Sequence, residues 1–366
     1  MITFADYMEK VLYGPQGYYS SGNAKSGREG DYFTAPDVSP VFGRLLIHIF
    51  AGWRNRVARR PFHLVEVGAG EGRLAKVMAE SLDSDFPEES SDFVYTAVEK
   101  SRVRRSALEL AVGSMPCPFK VLPDLESLAA SSVSGCLFAN ELIDAFPVHR
   151  VRQSQGRLEE AFVEQEDDHR RLVWREPSTS LLAEYLQRIE IVLPEAYETE
   201  INLEMRKWVR DAVRVLAEGA IVLIDYGRPA HEYYAPERDR GTLRCFSGHR
   251  VSDPFSHRSS SVAATSLDWT SDVDFTSLAL EAQEAGLDVL AYMDMSSFLM
   301  QGAEGYLRRS SAGAESAVGL RYLVHPEGLG AKFQVLILGK NVDRQDWRFQ
   351  GNRLLRLGLQ RRSSHA

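Results

Sequence analysis

Residues 62–82 carry the pattern that most restricts what this chain can fold into. Phe62-His63-Leu64-Val65-Glu66-Val67 is a largely apolar run of strand length. Glycines then fall at alternate positions, Gly68, Gly70 and Gly72, and Leu74, Val77, Met78 and Leu82 follow with helical periodicity. The order is buried strand, tight turn, helix. Alternate glycines keep Cβ atoms out of the turn, so a ligand can lie against bare backbone at the strand's carboxyl end, where open α/β sheets bind their ligands. The spacing is not the dinucleotide fingerprint G-x-G-x-x-G, because Arg73 stands where its third glycine would be.

A second acid follows the same logic. Phe93-Val94-Tyr95-Thr96-Ala97-Val98 reads as the next strand and is closed by Glu99. Nucleotide-binding α/β folds place an acid about 20 residues beyond the glycine turn to hold ribose hydroxyls. Glu99 lies 27 residues beyond Gly72, the surplus being the polar loop from Asp83 to Asp92. It is equally placed to cap the helical stretch 102–112. Further strands at 118–122, 135–140 and 219–225, separated by helical stretches, predict a parallel, doubly wound sheet.

The remaining segments are arranged around that core. Residues 1–60 form a helical cap; Ser39-Pro40 starts a helix whose stripe is Phe42, Leu45, Leu46, Ile49, Phe50, Trp53 and Val57. The core comprises 61–147 and 218–340. Between its parts, 148–217 reads as an inserted α+β subdomain, with antiparallel strands at 148–152, 158–164 and 172–175 and a mainly helical second half. Residues 228–271 read as a long irregular region, followed by a helix at 272–285 and strands at 287–293 and 333–339. Residues 341–366 are a basic tail for which disorder is the expectation.

The bulk properties exclude several classes. Hydrophobic residues make up 44% and charged residues 26%, ordinary for a globular protein. A net charge of −8 argues against a nucleic-acid binder. No apolar run reaches the ~18 residues of a membrane span. Cys117, Cys136 and Cys245 lack metal-binding spacing, as do His231, His249 and His257, so no metal site is expected. The cysteines suggest a reducing compartment and the amino terminus shows no leader, so a cytoplasmic location is expected.

The chain resembles a known family in several ordered segments. Glu66-x-Gly68-x-Gly70-x-Gly72 resembles motif I of class I S-adenosylmethionine (SAM) methyltransferases. Gly30-Asp31-Tyr32-Phe33-Thr34-Ala35-Pro36-Asp37-Val38-Ser39 and Asn140-Glu141-Leu142-Ile143-Asp144-Ala145-Phe146-Pro147-Val148-His149 are similar to signatures of the MidA-like and mitochondrial complex I assembly-factor methyltransferases. Asp225-Tyr226-Gly227, Gly248-His249-Arg250, Asp272-Val273-Asp274-Phe275 and Pro326-Glu327-Gly328-Leu329-Gly330 follow in the family's order. Ala69 replaces the family's proline in motif I, and Ala35 and Asp37 replace its Ser and Glu. The resemblance implies a Rossmann-like class I methyltransferase fold, SAM as cofactor, and methylation of an arginine on a protein, in the eukaryotic branch a respiratory complex I subunit. The competing reading is a non-catalytic assembly factor or binding protein that keeps the fold.

The chemistry assigns roles within that frame. Glu66 attracts the ammonium end of SAM, directly or through water, while Gly68, Gly70 and Gly72 admit the ligand. Glu99 takes the ribose, and Asp31 and Thr34, within residues 27–39, pack over the cofactor as a lid. Guanidinium is protonated and delocalised, so an arginine methyltransferase needs carboxylates to hold it. Glu141 and Asp144 follow the fourth strand, next to the expected methyl donor; their alternative is to cap the turn. Asn140 is the polar residue at that strand end. His249, in a loop above the sheet, is the remaining catalytic candidate, and His149 is read as structural.

Overall fold

The computed structural model describes residues 1–21, 39–166, 169–247, 250–252, 255, 263–309, 314–325 and 328–359. After β1 (Ile2–Thr3), α1 (Phe4–Tyr13) and α2 (Val41–Trp53), strand and helix alternate. The succession is β2 (Phe62–Val67), α3 (Arg73–Asp85), β3 (Phe93–Val98), α4 (Arg102–Val112), β4 (Phe119–Leu122) and β5 (Val133–Asn140). An antiparallel excursion follows: β6 (His149–Ser154), β7 (Arg157–Glu166), β8 (His169–Arg175), α5 (Leu181–Arg188), β9 (Glu198–Ile201) and α6 (Glu204–Val215). The chain returns through β10 (Leu216–Arg228) and α7 (Ala230–Tyr233). Next come the short strands β11 (Arg244–Ser247), β12 (Arg250–Ser252), β13 (Asp268–Thr270) and β14 (Val273–Asp274). It ends with α8 (Phe275–Glu284), β15 (Asp288–Asp294), α9 (Met295–Arg309), α10 (Ala314–Val324) and β16 (Phe333–Lys340).

The main sheet runs β4–β3–β2–β5–β10–β16–β15, with β14 alongside β10. Its pairings are parallel except those of β16, which lies antiparallel between β10 and β15. The wholly parallel sheet expected from alternation is therefore corrected to a mixed one: β16 follows β15 and fills the gap beside β10 in the opposite direction. Period-2 alternation sends neighbouring residues to opposite faces. Leu64, Phe138 and Val222 join the core under α2, α3 and α9, while Val65, Leu137 and Ile221 join the core under α6 and α8. Each such side chain contributes roughly 1.5–3 kcal/mol on burial.

The expected α2 stripe is buried throughout. Ser39 caps the helix through Oγ, which accepts from Val41 N–H at 3.2 Å. The amino terminus joins the inserted sheet, because β1 pairs antiparallel with β7, Ile2 facing Val163. That sheet includes β9, where a helix was expected; β9 pairs with β6 from His149 to Arg152. A third core holds Phe4, Tyr7 and Met8 of α1 against Ala161, Val163 and Trp269.

Residues 341–359 of the expected basic tail pack against the body. Trp347 is 2% exposed and lies 4.9 Å from the Trp53 ring, and Leu357 is buried. Asn352 and Arg353 hydrogen-bond the backbone of Leu290 and Tyr292, covering the outer edge of β15. An open strand edge is a template for aggregation, and this segment occupies it. Residues 360–366 lie outside the described residues.

Candidate active site

Strand order reverses between β2 and β5: the chain moves outward from β2 through β3 to β4, and on the other side β5 adjoins β10. The loops leaving β2 and β5 diverge there, and the opening is a cavity of about 910 Å³.

One wall is the glycine turn. Gly68 and Ala69 donate their N–H groups to Val98 O at 2.8 and 3.1 Å, which fastens the turn to the end of β3. Gly70 has φ +56°, and a Cβ built there meets nothing within 4 Å. The missing side chain therefore faces open space in the cavity wall. Gly72 differs: a Cβ there meets Leu108 Cγ at 2.8 Å, and the residue does not line the cavity. The absent side chain at Gly72 allows close packing between the turn and α4.

Glu99 ties this wall together. Its Oε2 accepts from Gly70 N–H at 2.9 Å and its Oε1 from Ser101 N–H at 2.8 Å. It lines the cavity and steadies Ser101, the residue that caps α4. Burial raises its pKa, opposed by Arg104 and these N–H donors. Glu66 sits deeper, 5% exposed, and accepts from the Tyr95 hydroxyl at 2.6 Å. Burial raises its pKa to about 8, against the Tyr95 bond and with Glu99 adding to the rise. A carboxyl so placed is stabilised by an arriving cation.

The opposite wall is the loop after β5. Glu141 has φ +51°, a left-handed conformation that costs a non-glycine residue free energy. It persists because the surroundings determine it. Glu141 N–H donates to Ile224 O at 2.9 Å, and Asn140 Nδ2 donates to Glu141 Oε1 at 2.9 Å. Asn140 Oδ1 is buried and has no hydrogen-bond partner among the described residues. Asp225, at the carboxyl end of the all-apolar stretch of β10, is the anchor. Its Oδ2 accepts from Leu142, Ile143 and Asp144 N–H at 3.3, 2.9 and 3.3 Å, and its Oδ1 from Tyr226 N–H at 2.8 Å.

Asp144 and Asp225 titrate as a pair. Burial raises Asp225 to about 7 despite its four N–H donors. Asp144 is raised well above the carboxylate range by burial and then by Asp225, Glu141 and Asp268. With the donors on Asp225 favouring its ionised form, Asp144 holds its proton the more strongly of the two.

A third wall was not foreseen. Tyr13, the last residue of α1, and Tyr19 beyond it stack at 5.4 Å. Tyr13 donates to Ala145 O at 2.9 Å and Tyr19 to Asp268 Oδ1 at 2.5 Å. Lys100 lies 4.4 Å from the Tyr13 ring centroid and Arg104 4.6 Å from that of Tyr19. The only sequence signal was Tyr18-Tyr19 after the Gly14-Pro15-Gln16-Gly17 turn, which has no partner until the fold brings β3 and β13 to it.

Glu66, Gly68, Gly70, Glu99, Asn140, Glu141 and Asp144 all line one cavity. Asp31, Thr34 and His249 lie outside the described residues. His149 is in β6 and pairs with buried Glu160 at 2.6 Å, a structural contact as expected. Among the described residues no group of His, Cys, Asp and Glu side chains is arranged to hold a metal ion. Described residues lining the cavity include twelve acidic and seven basic side chains, so the site favours cations. The open cradle at Gly70, the buried Glu66 carboxyl and the position at the strand-order reversal fit SAM, which presents an ammonium, a sulfonium and a ribose.

The chain belongs to the family described as "Putative S-adenosyl-L-methionine-dependent methyltransferase", which matches residues 43–293. It is a SAM-dependent methyltransferase of the class I fold. It is similar to the protein arginine methyltransferase NDUFAF7 homolog, mitochondrial, of Drosophila melanogaster, 29% identical over 75% of this chain and 65% of that protein. It is also similar to human protein arginine methyltransferase NDUFAF7, mitochondrial, at 26% identity over 96% of this chain and 83% of that one. A Burkholderia thailandensis protein crystallised with S-adenosyl-homocysteine superposes with a TM-score of 0.80 at 28% identity, covering 96% of this chain and 91% of the other.

Gly70→Val tests the cradle directly. The branched side chain enters the space left for the ligand, so calorimetry is expected to show no SAM binding. The positive φ costs about 1–2 kcal/mol of stability, small enough for a folded protein by circular dichroism. Wild-type affinity in this variant would place SAM elsewhere.

Proposed function

We propose that the protein transfers the methyl group of SAM to the guanidinium of an arginine in a protein substrate. The observation that carries this reading is that Glu141 and Asp144, on the loop that Asp225 anchors, line the same cavity as the glycine turn. The names of the curated relatives support the same chemistry. A respiratory-complex subunit is the substrate class implied by the resemblance, and a cytoplasmic, reducing setting is consistent with three buried cysteine thiols.

Bound SAM supplies an electrophilic methyl group on a sulfonium sulfur. The residues of this chain do the rest. Asp225 holds the backbone of 142–144, so Glu141 and Asp144 keep their separation without paying ordering entropy at each turnover. Glu141, fixed by Asn140, draws in the cationic guanidinium and orients one nitrogen. That nitrogen forms the new N–C bond as the methyl leaves sulfur with the C–S electron pair. The nitrogen must then release a proton, and the Glu141 carboxylate, on the cavity wall, is placed to accept it.

The test is to incubate the protein with tritiated SAM and a lysate of its source, recover the labelled partner and locate the methyl group by mass spectrometry. Methylarginine is expected. Label confined to lysine, histidine or an amino terminus would reject the arginine assignment.

A further inference from the structure

The region 228–271, which carried no regular pattern in the sequence, contains β11 and β13 paired antiparallel. Arg244 faces Thr270, Cys245 faces Trp269, and Phe246 faces Asp268. Alternation splits this ribbon into two faces. Cys245 and Trp269 are 1% and 0% exposed and pack on α1, with the Trp269 ring 5.8 Å from Phe4 and 5.9 Å from Tyr7. Arg244, Phe246, Asp268 and Thr270 line the cavity instead. They share that lining with Asp144 and Tyr226. Asp268 is near enough to Asp144 to raise its pKa, and Tyr19 fixes its Oδ1.

Resting on the arginine reading above, we propose that this face is the substrate-recognition surface, with the Asp268 carboxylate and the Phe246 ring receiving the guanidinium opposite Glu141. The cross-strand pair offers what a planar delocalised cation uses: negative charge for its N–H groups and an aromatic face for its plane. Asp268 is 2% exposed, and an ion pair formed at such a position is weakened little by water. Lysine, a compact ammonium, gains less from this arrangement. The ribbon's other face seats it on α1, so the amino-terminal helix sets the position of the substrate wall.

The experiment measures binding of acetyl-Gly-Arg-Gly-amide, and of its lysine and citrulline counterparts, to full-length protein saturated with S-adenosyl-homocysteine, by saturation-transfer NMR titration. Wild type is expected to prefer the arginine peptide. Asp268→Asn, which keeps an acceptor for Tyr19, and Phe246→Ala are each expected to weaken that binding about tenfold or more, the loss of one charge-assisted or stacked contact. Thr270→Arg, which adds a second cation beside Arg244 on the same wall, is expected to weaken it at least as much, with S-adenosyl-homocysteine affinity unchanged in all three. Wild type showing no preference for arginine over citrulline rejects the arginine reading and this inference with it. A wild-type preference that survives all three substitutions rejects this surface alone.

Discussion

Glu66→Gln is expected to weaken SAM binding by about 10- to 100-fold, the span of a charge-assisted hydrogen bond of about 1.5–3 kcal/mol, while making the ligand-free protein more stable at alkaline pH. Both effects have one cause. Glu66 is buried beside the glycine turn, its hydrogen bond comes from the neutral Tyr95 hydroxyl, and its pKa is raised to about 8. In the unfolded chain the same carboxyl titrates near 4.5. A raised folded pKa means that its proton-linked stability is full below the unfolded value and is lost as pH rises through the folded one. The window is pH 4.5 to 8, and the loss is on the order of a few kcal/mol. Glutamine does not ionise, so the variant keeps that stability.

SAM binding reverses the penalty by placing an ammonium near the carboxyl. Binding at neutral pH is therefore expected to release a proton from Glu66, which calorimetry in buffers of different ionisation enthalpy detects. Melting curves from pH 5 to 9 supply the second readout: ligand-free wild type falls relative to Glu66→Gln as pH rises. Equal SAM affinity in both proteins together with parallel pH profiles would remove Glu66 from the binding site.

Glu141→Gln keeps size and hydrogen bonding and removes the charge that holds guanidinium. Methylation of the labelled partner is expected to fall at least ~30-fold, about 2 kcal/mol of transition-state stabilisation, with SAM affinity unchanged. Glu141→Gly separates function from fold. Glycine adopts φ +51° without strain, so this variant is expected to melt no lower than wild type, and higher if the strain of about 1–3 kcal/mol is partly recovered. It should be as inactive as Glu141→Gln. Full activity in either variant would reduce Glu141 to a turn residue. Activity lost only through weaker SAM binding would assign it to the cofactor.

Much of the cofactor half of the site was legible because it is local. Glu66, Gly68 and Gly70 lie within five residues, and a strand followed by a turn can present them in only one way. Glu99 was found by the same rule one strand later. Asn140, Glu141 and Asp144 were visible as polar residues breaking an apolar strand. The packing of Gly72 was not legible, because its neighbour Leu108 comes from α4.

By itself the sequence determined the strand–turn–helix order, the two-faced sheet and the acids at the strand ends, since these follow from periodicity and backbone sterics over a few residues. Only the tertiary structure decided which acid is charged and which side chains share the cavity. Asp225 holds Asp144 across 81 residues, and Tyr19 reaches Asp268 across 249. The substrate wall arises from two short strands whose pairing depends on α1 packing behind them. Such contacts leave no period in the chain, because their free energy comes from burial and desolvation that exist only after distant segments have met.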